Sequence, residues 1–223
     1  MSAHAADANA SPERLDHLLW ACADLAAGMR RFEALSGVPP KFGGVHAGGV
    51  THNALVALGP RCYLEILAPT GPASPADDWF SRLARSMPEP GIITYCMRSA
   101  VGLDELAARA RRAGAQETTP AGNGRTTPEG VELSWRWLAP KLERFGPAFP
   151  FFIDWLDSPH PATTLAPHAA GSGARLRRFV VGHPDAAELG RTLLELGSAI
   201  ETEPAPSLRF TVELDTPRGR ILL

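Results

Sequence analysis

The stretch LDHLLWACADLAAGMRRFEALSG, residues 15–37, decides the fold prediction. It begins with a strand-like apolar run, LDHLLWA, and continues into a segment whose apolar residues recur at helical spacing. Those residues are Leu25, Met29, Phe32 and Leu35. Asp24 suits a helix N-cap, and Gly37 suits the left-handed residue that ends many helices. The stretch therefore predicts one strand followed by one helix that ends at a glycine.

The same arrangement occurs twice more along the chain. GIITYCMRSAVGLDELAARARRAG spans residues 91–114, and RLRRFVVGHPDAAELGRTLLELG spans residues 175–197. After each helix the pattern changes to strand-like runs such as RCYLEILA, VELSWRWLAP and LRFTVELDT. Each unit therefore predicts the order βαβββ, and repetition of this kind indicates how the chain is built.

The repeats divide the chain into modules joined by linkers rich in Pro, Ala and Ser. The predicted segments are a disordered tail at 1–13, modules at 14–70, 91–157 and 175–223, and linkers at 71–90 and 158–174. A lone module makes a sheet with a helix on one face and leaves the other face bare. We therefore predict an α+β fold in which repeated βαβββ modules pair into a curved mixed sheet around an open groove, with the helices outside. Such a groove is a natural place for a ligand.

Composition excludes several classes of partner. The 223 residues carry a formal net charge of −2, so nothing indicates a nucleic-acid or membrane-surface partner. No apolar run approaches the roughly 20 residues of a membrane-spanning helix, and the first residues lack the apolar stretch of a signal peptide. Cys22, Cys62 and Cys96 lie in apolar runs and are predicted to be buried, reduced thiols. These features predict a cytoplasmic location.

His17 and Glu65 are the first candidates for chemistry, because each lies in the middle of a predicted strand. The right-handed crossover rule allows the first and fourth strands of a module to be neighbours. A tight two-residue turn would pair Ala54 with Glu65 and place His52 on the Glu65 face, whereas a one-residue slip would turn His52 away. Imidazoles and a carboxylate on one concave face suit a divalent metal or an acid–base pair. Alternatively, His17 is a core histidine paired with Glu65, and His52 caps a loop end.

The second module supplies aromatic residues and one conspicuous acid. Trp135, Trp137 and Trp155 could line an apolar ligand pocket, although such residues are more often core. Asp154, within FFIDWL, is an acid in an apolar strand, which is costly unless it is paired or functional. Asp154 is therefore a candidate for the groove.

Two glycine-rich segments also attract attention. HAGGVTHN, residues 46–53, could be a mobile lid beside the groove or simply a turn. GNGRTTPEG, residues 122–130, lacks the strand-to-helix setting of a phosphate-binding loop, so we assign it no function. The residues predicted to bind substrate are His52, Asn53, Tyr63, Trp135, Trp137 and Trp155.

Together, LDHLLWACADL, THNALVALG, CYLEILAP, GVELSWRWL and PFFIDW resemble the glyoxalase-like domain proteins, a branch of the vicinal oxygen chelate superfamily. The resemblance covers about residues 14–223 and implies paired βαβββ modules around an open groove. In enzymes of that superfamily, a divalent metal in the groove is chelated by two substrate oxygens. The typical first-strand His and fourth-strand Glu ligands map onto His17 and Glu65. In the second module, Thr94 falls where the first-strand ligand would be.

The resemblance implies a small-molecule enzyme, a lyase, isomerase or dioxygenase, acting on a small oxygenated substrate. A divalent metal (Zn, Ni, Mn or Fe) held by His17 and Glu65, with His52 or Asp154 as a further ligand, would polarise a substrate oxygen. Glu65 and Asp154 are the predicted catalytic residues. The alternative is a bleomycin-resistance type protein that sequesters an aromatic compound without turnover, which the aromatic cluster and Thr94 favour. A third option is an interaction module, and a homodimer is a further expectation.

Overall fold

A computed structural model describes residues 13–116, 118–165 and 173–223 of the chain. Nearly all of the tail predicted at 1–13, and the part of the predicted linker at 166–172, lie outside the described residues. The predicted α+β fold, with a curved mixed sheet and helices outside, is confirmed.

The first module and the segment after it contain four strands and two helices. They are β1 (Leu15–Ala21), α1 (Leu25–Ser36), β2 (Lys41–His46), β3 (Thr51–Gly59), β4 (Cys62–Pro69) and α2 (Trp79–Ser86). The N-cap of α1 is Asp24, as predicted, and its side chain accepts a hydrogen bond of 2.7 Å from the Ala27 N–H. Helix α2 lies within the segment predicted as the first linker.

The second and third modules repeat the order strand, helix and three strands. The second contains β5 (Gly91–Arg98), α3 (Leu103–Arg112), β6 (Ala121–Thr126), β7 (Glu132–Leu138) and β8 (Phe151–Asp154). A short helix, α4 (Pro161–Thr164), precedes the third module, which contains β9 (Arg175–His183), α5 (Ala186–Glu195), β10 (Glu201–Pro204), β11 (Arg209–Thr216) and β12 (Gly219–Leu222). The glycines that follow α1, α3 and α5 have φ values of +76°, +89° and +75°, the left-handed conformation expected at these helix ends.

The first two modules close into one eight-stranded barrel, with strand order β1-β4-β3-β2-β6-β7-β8-β5. Within each of these modules the first strand lies parallel to the fourth. The modules join where β1 pairs with β5 and, over two residue pairs, where β2 meets β6. Since side chains alternate between the inside and outside of a barrel, each module contributes one wall of the interior.

The third module has the same element order but a different strand order, β10-β9-β11-β12. Its second strand lies parallel beside its first, so it cannot supply half of a barrel of the same kind. One face of this sheet packs outside the barrel, where the Phe179 ring lies 4.9 Å from Tyr95 of β5. The other face carries ion pairs from Arg178 to Glu201 and Glu213. A mixed sheet with one buried and one solvated face is therefore added to the barrel.

A β-bulge near the start of β1 interrupts the alternation of LDHLLWA. Leu15 pairs with Met97, and His17 pairs with the adjacent residue, Cys96. Two steps along β1 therefore correspond to one step along β5, and Asp16 is the extra residue. Strict alternation would place Leu15 and His17 on one face. Instead, Leu15 packs in the core outside the barrel, whereas His17 faces the barrel interior.

The three cysteines are buried and free of disulfide bonds, as predicted. In the described part of the chain, no helix is long and apolar enough to cross a membrane.

We expect Phe179→Ala to lower the free energy of unfolding by roughly 3–5 kcal/mol, because it removes a buried ring between the barrel and the third module. Leu222→Ala is the matched control, since Leu222 lies in the same sheet with its side chain 68% exposed. We expect the control to change stability by less than about 0.5 kcal/mol in urea denaturation. Equal effects of the two substitutions would contradict the packing described here.

Candidate functional site

A cavity of about 100 Å³ lies inside the barrel, with a polar wall on one side and an aromatic wall on the other. The polar wall comes mainly from the first module, with contributions from β6. The aromatic wall comes from β7, β8, the residue after β8, and α2. The polar lining residues are His17, His46, Thr51, Asn53, Tyr63, Glu65, Asn123 and Arg125. The apolar ones are Leu19, Leu67, Phe80, Trp135, Trp137, Phe151, Ile153 and Trp155.

The Glu65 carboxylate is the centre of the polar wall. Asn53 Nδ2 donates a 2.7 Å hydrogen bond to Oε1, His46 Nε2 lies 3.4 Å from the same oxygen, and His17 Nε2 lies 3.5 Å from Oε2. Burial raises the pKa of this carboxyl, but His46, then His17 and Asn53, lower it to about 2. Glu65 is therefore ionised at neutral pH and is too weak a base to remove protons efficiently there.

The Asp16 carboxylate orients the His17 ring through a contact with its Nδ1 atom. Asp16 Oδ1 lies 2.7 Å from His17 Nδ1, and Oδ2 accepts hydrogen bonds from Trp155 Nε1 at 3.2 Å and His160 Nε2 at 3.1 Å. Burial raises the Asp16 pKa, but its hydrogen bonds with His160 and His17 hold that pKa well below the usual range. Because Asp16 is an ionised acceptor, His17 donates from Nδ1, and its Nε2 faces Glu65. The Tyr63 ring stacks on the imidazole with centroids 4.6 Å apart.

His46, at the end of β2, is the second imidazole beside Glu65. Its Nδ1 lies 2.8 Å from Thr51 Oγ1, and its Nε2 lies 3.2 Å from Asn53 Nδ2. His46 Nε2 either accepts from the Asn53 amide or, when it carries a proton, donates to Glu65 Oε1, and only the second arrangement lowers the Glu65 pKa. A second imidazole nitrogen therefore lies beside the carboxylate.

Each imidazole and the Glu65 oxygen that it faces have the spacing of two ligands on one divalent metal. The separations of 3.4 and 3.5 Å between imidazole nitrogens and Glu65 oxygens exceed those of good N–H···O hydrogen bonds. Two ligands that each lie about 2.1 Å from one ion at a tetrahedral angle are separated by about 3.4 Å. The Asp16 carboxylate behind His17 is the outer partner that metal-binding histidines usually have.

A second group of possible metal donors includes two residues, Asp16 and Cys96, that do not line the cavity. Asp16, His17 and Cys96 have ligand atoms within 4.8 Å of one another, and all three residues are buried. Burial raises the pKa of the free Cys96 thiol well above its usual value, so a metal would have to displace the thiol proton to bind there. Asp16 is also occupied by its hydrogen bonds. The donors that face the cavity, His17, His46 and Glu65, are the alternative, but their three ligand atoms do not come within the same distance of one another, so they would have to move closer to share one ion.

The second module lacks the corresponding donors. The Thr94 hydroxyl donates to the Pro147 carbonyl at 3.2 Å. The parallel pairings β1–β4 and β5–β8 put Phe151 in the position that corresponds to Glu65. The Phe151 ring meets the His17 ring edge-on at 5.4 Å. One wall of the barrel thus carries the donors, and the other carries aromatic rings.

Residues 15–197 match the family model of the glyoxalase-like domain. The chain belongs to this family. It is therefore a member of the vicinal oxygen chelate superfamily, and the resemblance seen in the sequence is confirmed.

Among solved structures, a hypothetical protein from Staphylococcus aureus is similar to this glyoxalase-like protein over 90% of this chain and 80% of its own, with 14% identity and a TM-score of 0.62. That likeness concerns the fold alone. A methylmalonyl-CoA epimerase in complex with methylmalonyl-CoA and NH4+ is 20% identical over 68% of this chain and 100% of its own, with a TM-score of 0.47. The epimerase from Mycobacterium tuberculosis is 18% identical over 69% and 90%, with a TM-score of 0.42. With TM-scores below 0.5, these two epimerase structures support no conclusion about this chain. No curated protein matches the chain.

Two residues predicted for the site of this glyoxalase-like protein lie elsewhere. The predicted pairing of Ala54 with Glu65 is wrong: Leu55 pairs with Glu65, and a register shift between Ala57 and Gly59 turns His52 away from the cavity. The His52 ring contacts Phe42 edge-on at 6.2 Å. Asp154 is exposed, and its carboxylate accepts a 3.0 Å hydrogen bond from the Leu156 N–H. The remaining predicted site residues do line the cavity, and their roles stay predictions. They are His17, Asn53, Tyr63, Glu65, Trp135, Trp137 and Trp155.

His46, Arg125 and Asp16 are among the polar residues of the site that were not predicted. His46 and Arg125 lie in or beside the two glycine-rich segments, and strands β2 and β6 pair them directly. Asp16 precedes His17, and only the bulge turns it inwards. The signal for Asp16 was the acid itself, which is costly inside an apolar strand unless it has a partner. No local sequence pattern signals the pairing of β2 with β6.

The low pKa of Glu65 predicts a specific loss of stability in acid. Its pKa is about 2 in the folded protein against an ordinary value of 4.5, so the unfolded chain binds more protons in that interval. The free energy of unfolding therefore falls as pH drops from about 4.5 towards 2. We expect Glu65→Gln to show a shallower fall than the wild type in urea denaturation between pH 6 and pH 3. Glu33→Gln, at an exposed position of α1, is the control and should follow the wild type. Parallel curves for the Glu65 variant and the wild type would refute this assignment.

Proposed function

We propose that the protein is a small-molecule enzyme of vicinal oxygen chelate type, in which His17 and Glu65 hold a divalent metal and His46 is a further donor. The observation that carries the proposal is the ionised Glu65 carboxylate, held at the cavity wall between two imidazole nitrogens. When bound, such a metal supplies Lewis-acid chemistry at a substrate oxygen.

The neighbouring side chains hold the donors in place. Asp16 fixes the His17 tautomer, and Asn53 fixes one oxygen of Glu65. The low pKa of Glu65 favours the role of a ligand over that of a proton carrier. Asp154 was the other predicted catalytic residue, but its carboxylate lies outside the cavity, so the proposal does not use it.

The aromatic wall would exclude water and contact the body of the substrate. Trp135 and Trp155 lie with ring centroids 5.2 Å apart, and Trp137 meets Phe151 edge-on. A cavity of about 100 Å³ limits the enclosed part of a substrate to a small group. A small oxygenated substrate, lyase, isomerase or dioxygenase chemistry, a cytoplasmic location and a homodimer all remain part of the proposal.

A second candidate function is the binding of an aromatic compound without turnover. It is favoured by Thr94 and Phe151, which stand where the second module would otherwise supply metal ligands. In this case the Glu65 cluster would be a polar anchor for the bound compound.

Metal analysis of protein purified without an affinity tag tests the proposal. We expect about one divalent ion per chain by elemental mass spectrometry, and its loss in His17→Ala and Glu65→Gln, because each removes a ligand. His52→Ala is the control, since it removes an imidazole from β3 that faces away from the cavity, and it should keep the metal.

Circular dichroism spectra should show that each variant is folded. Metal retained in both ligand variants would refute the proposed site. A wild-type protein without metal that binds a hydrophobic compound tightly in the cavity would support the second candidate function.

A further inference from the structure

Arg125 brings a cationic side chain to the cavity wall that the proposed metal chemistry does not use. Its side chain is only 7% exposed and borders the cavity. Its Nη1 donates to the Gly43 carbonyl and approaches Asn53 Oδ1 at 3.4 Å. Among residues 13–116, 118–165 and 173–223, no carboxylate forms an ion pair with it. The Asn53 amide links Arg125 to the Glu65 carboxylate, but none of these residues neutralises the guanidinium by a direct ion pair, which leaves it able to pair with an anion in the cavity.

The guanidinium has hydrogen-bond capacity to spare. The hydrogen bonds to Gly43 and Asn53 both use Nη1, whereas a guanidinium has five N–H donors. Among the described residues, the one buried side-chain polar atom without a partner is Ser198 Oγ, so the other Arg125 nitrogens are not sealed inside the protein. Arg125 borders both the barrel cavity and a second pocket lined by Gly44 and Thr126. Two adjacent N–H groups of an arginine match the two oxygens of a carboxylate.

The backbone around Arg125 is shaped to admit its guanidinium. A Cβ at position 43 would overlap both Asn53 Oδ1 and Arg125 Nη1, so glycine at this position permits their close approach. Arg125 also pairs with His46 across the β2–β6 junction. An anion bound to Arg125 on its cavity side would therefore lie at the polar wall of the cavity. Trp135 lines the same cavity from the aromatic wall.

We infer that the substrate is a small organic acid, whose carboxylate binds Arg125 and whose apolar body packs against Trp135 and Trp137. This inference rests on the proposed function in one respect: both place the substrate in the same cavity. A phosphate would offer similar chemistry to the guanidinium, but the small cavity and its aromatic wall favour a carboxylate on an apolar body.

Benzoate and its neutral counterpart benzamide test the inference, because they have the same shape and differ in charge. Binding is measured by isothermal titration calorimetry in chloride-free buffer on protein treated with a chelator. We expect the wild type to bind benzoate at least roughly tenfold more tightly than benzamide, the size of effect of a charged hydrogen bond. Arg125→Gln should abolish this preference. Arg136→Gln removes an exposed arginine paired with Asp104 outside the barrel and should preserve it.

Arg125→Lys provides a second variant. A lysine keeps the charge but cannot form two parallel hydrogen bonds, so the preference for benzoate should fall several-fold without disappearing. If Arg125→Gln does not fold, as judged by circular dichroism, the lysine variant decides, and a preference as large as that of the wild type counts against the inference.

Other outcomes overturn it directly. These are equal affinities of the wild type for the two compounds, no benzoate binding at millimolar concentration, or an unchanged preference in Arg125→Gln. A preference that appears only after metal is added assigns anion recognition to the metal and also overturns it. Conversely, a preference in a protein that never binds metal would refute the proposed metal site while supporting the role of Arg125.

Discussion

The hydrogen bond between the Asp16 carboxylate and His17 Nδ1 sets the chemistry of the cavity. On a regular strand, residues 16 and 17 would point to opposite faces of the sheet. The bulge in β1 lets both lie on the inner side, so that the acid can orient the imidazole. Trp155 and His160, which follow β8, hold the far side of the same carboxylate. Residues that follow the last strand of the second module therefore hold the donor wall of the first module in place.

The barrel combines a symmetrical backbone with unsymmetrical side chains. Both of its modules pair their first and fourth strands in parallel, yet the first places Glu65 on the inner face where the second places Phe151. A carboxylate needs donors around it when it is buried, and His17, His46 and Asn53 meet that need. Aromatic rings need only packing, which β7 and β8 supply. The two walls consequently impose different requirements on a bound molecule: polar atoms on one side, apolar surface on the other.

The sequence predicted what depends on local patterns. Helix ends followed from Asp24 and the three glycines, and the handedness of crossover connections allowed β1 and β4 to be neighbours, as their parallel pairing requires. The strand order of the third module did not follow, because the order βαβββ allows β10 to lie beside β9 as well as at the opposite edge.

The site errors have similar causes. The side on which His52 lies depends on a register shift near Ala57, and no residue pattern in THNALVALG signals that shift. Asp154 was a candidate because an acid in an apolar strand is costly, but Ile153 and Trp155 take the inward positions there, and Asp154 is exposed. Arg125 and His46 are distant in sequence and meet only because the barrel closes between β2 and β6. Tertiary contacts of this kind are invisible to any reading of single segments.

The concentration of donors in one module has a consequence for substitutions in the other. Trp135 and Phe151 contact the imidazoles of His46 and His17, whereas Trp137 contacts Phe151. Under the proposed function, substitutions at Trp137 could therefore alter the shape of the recess and leave the donors of the opposite wall in place.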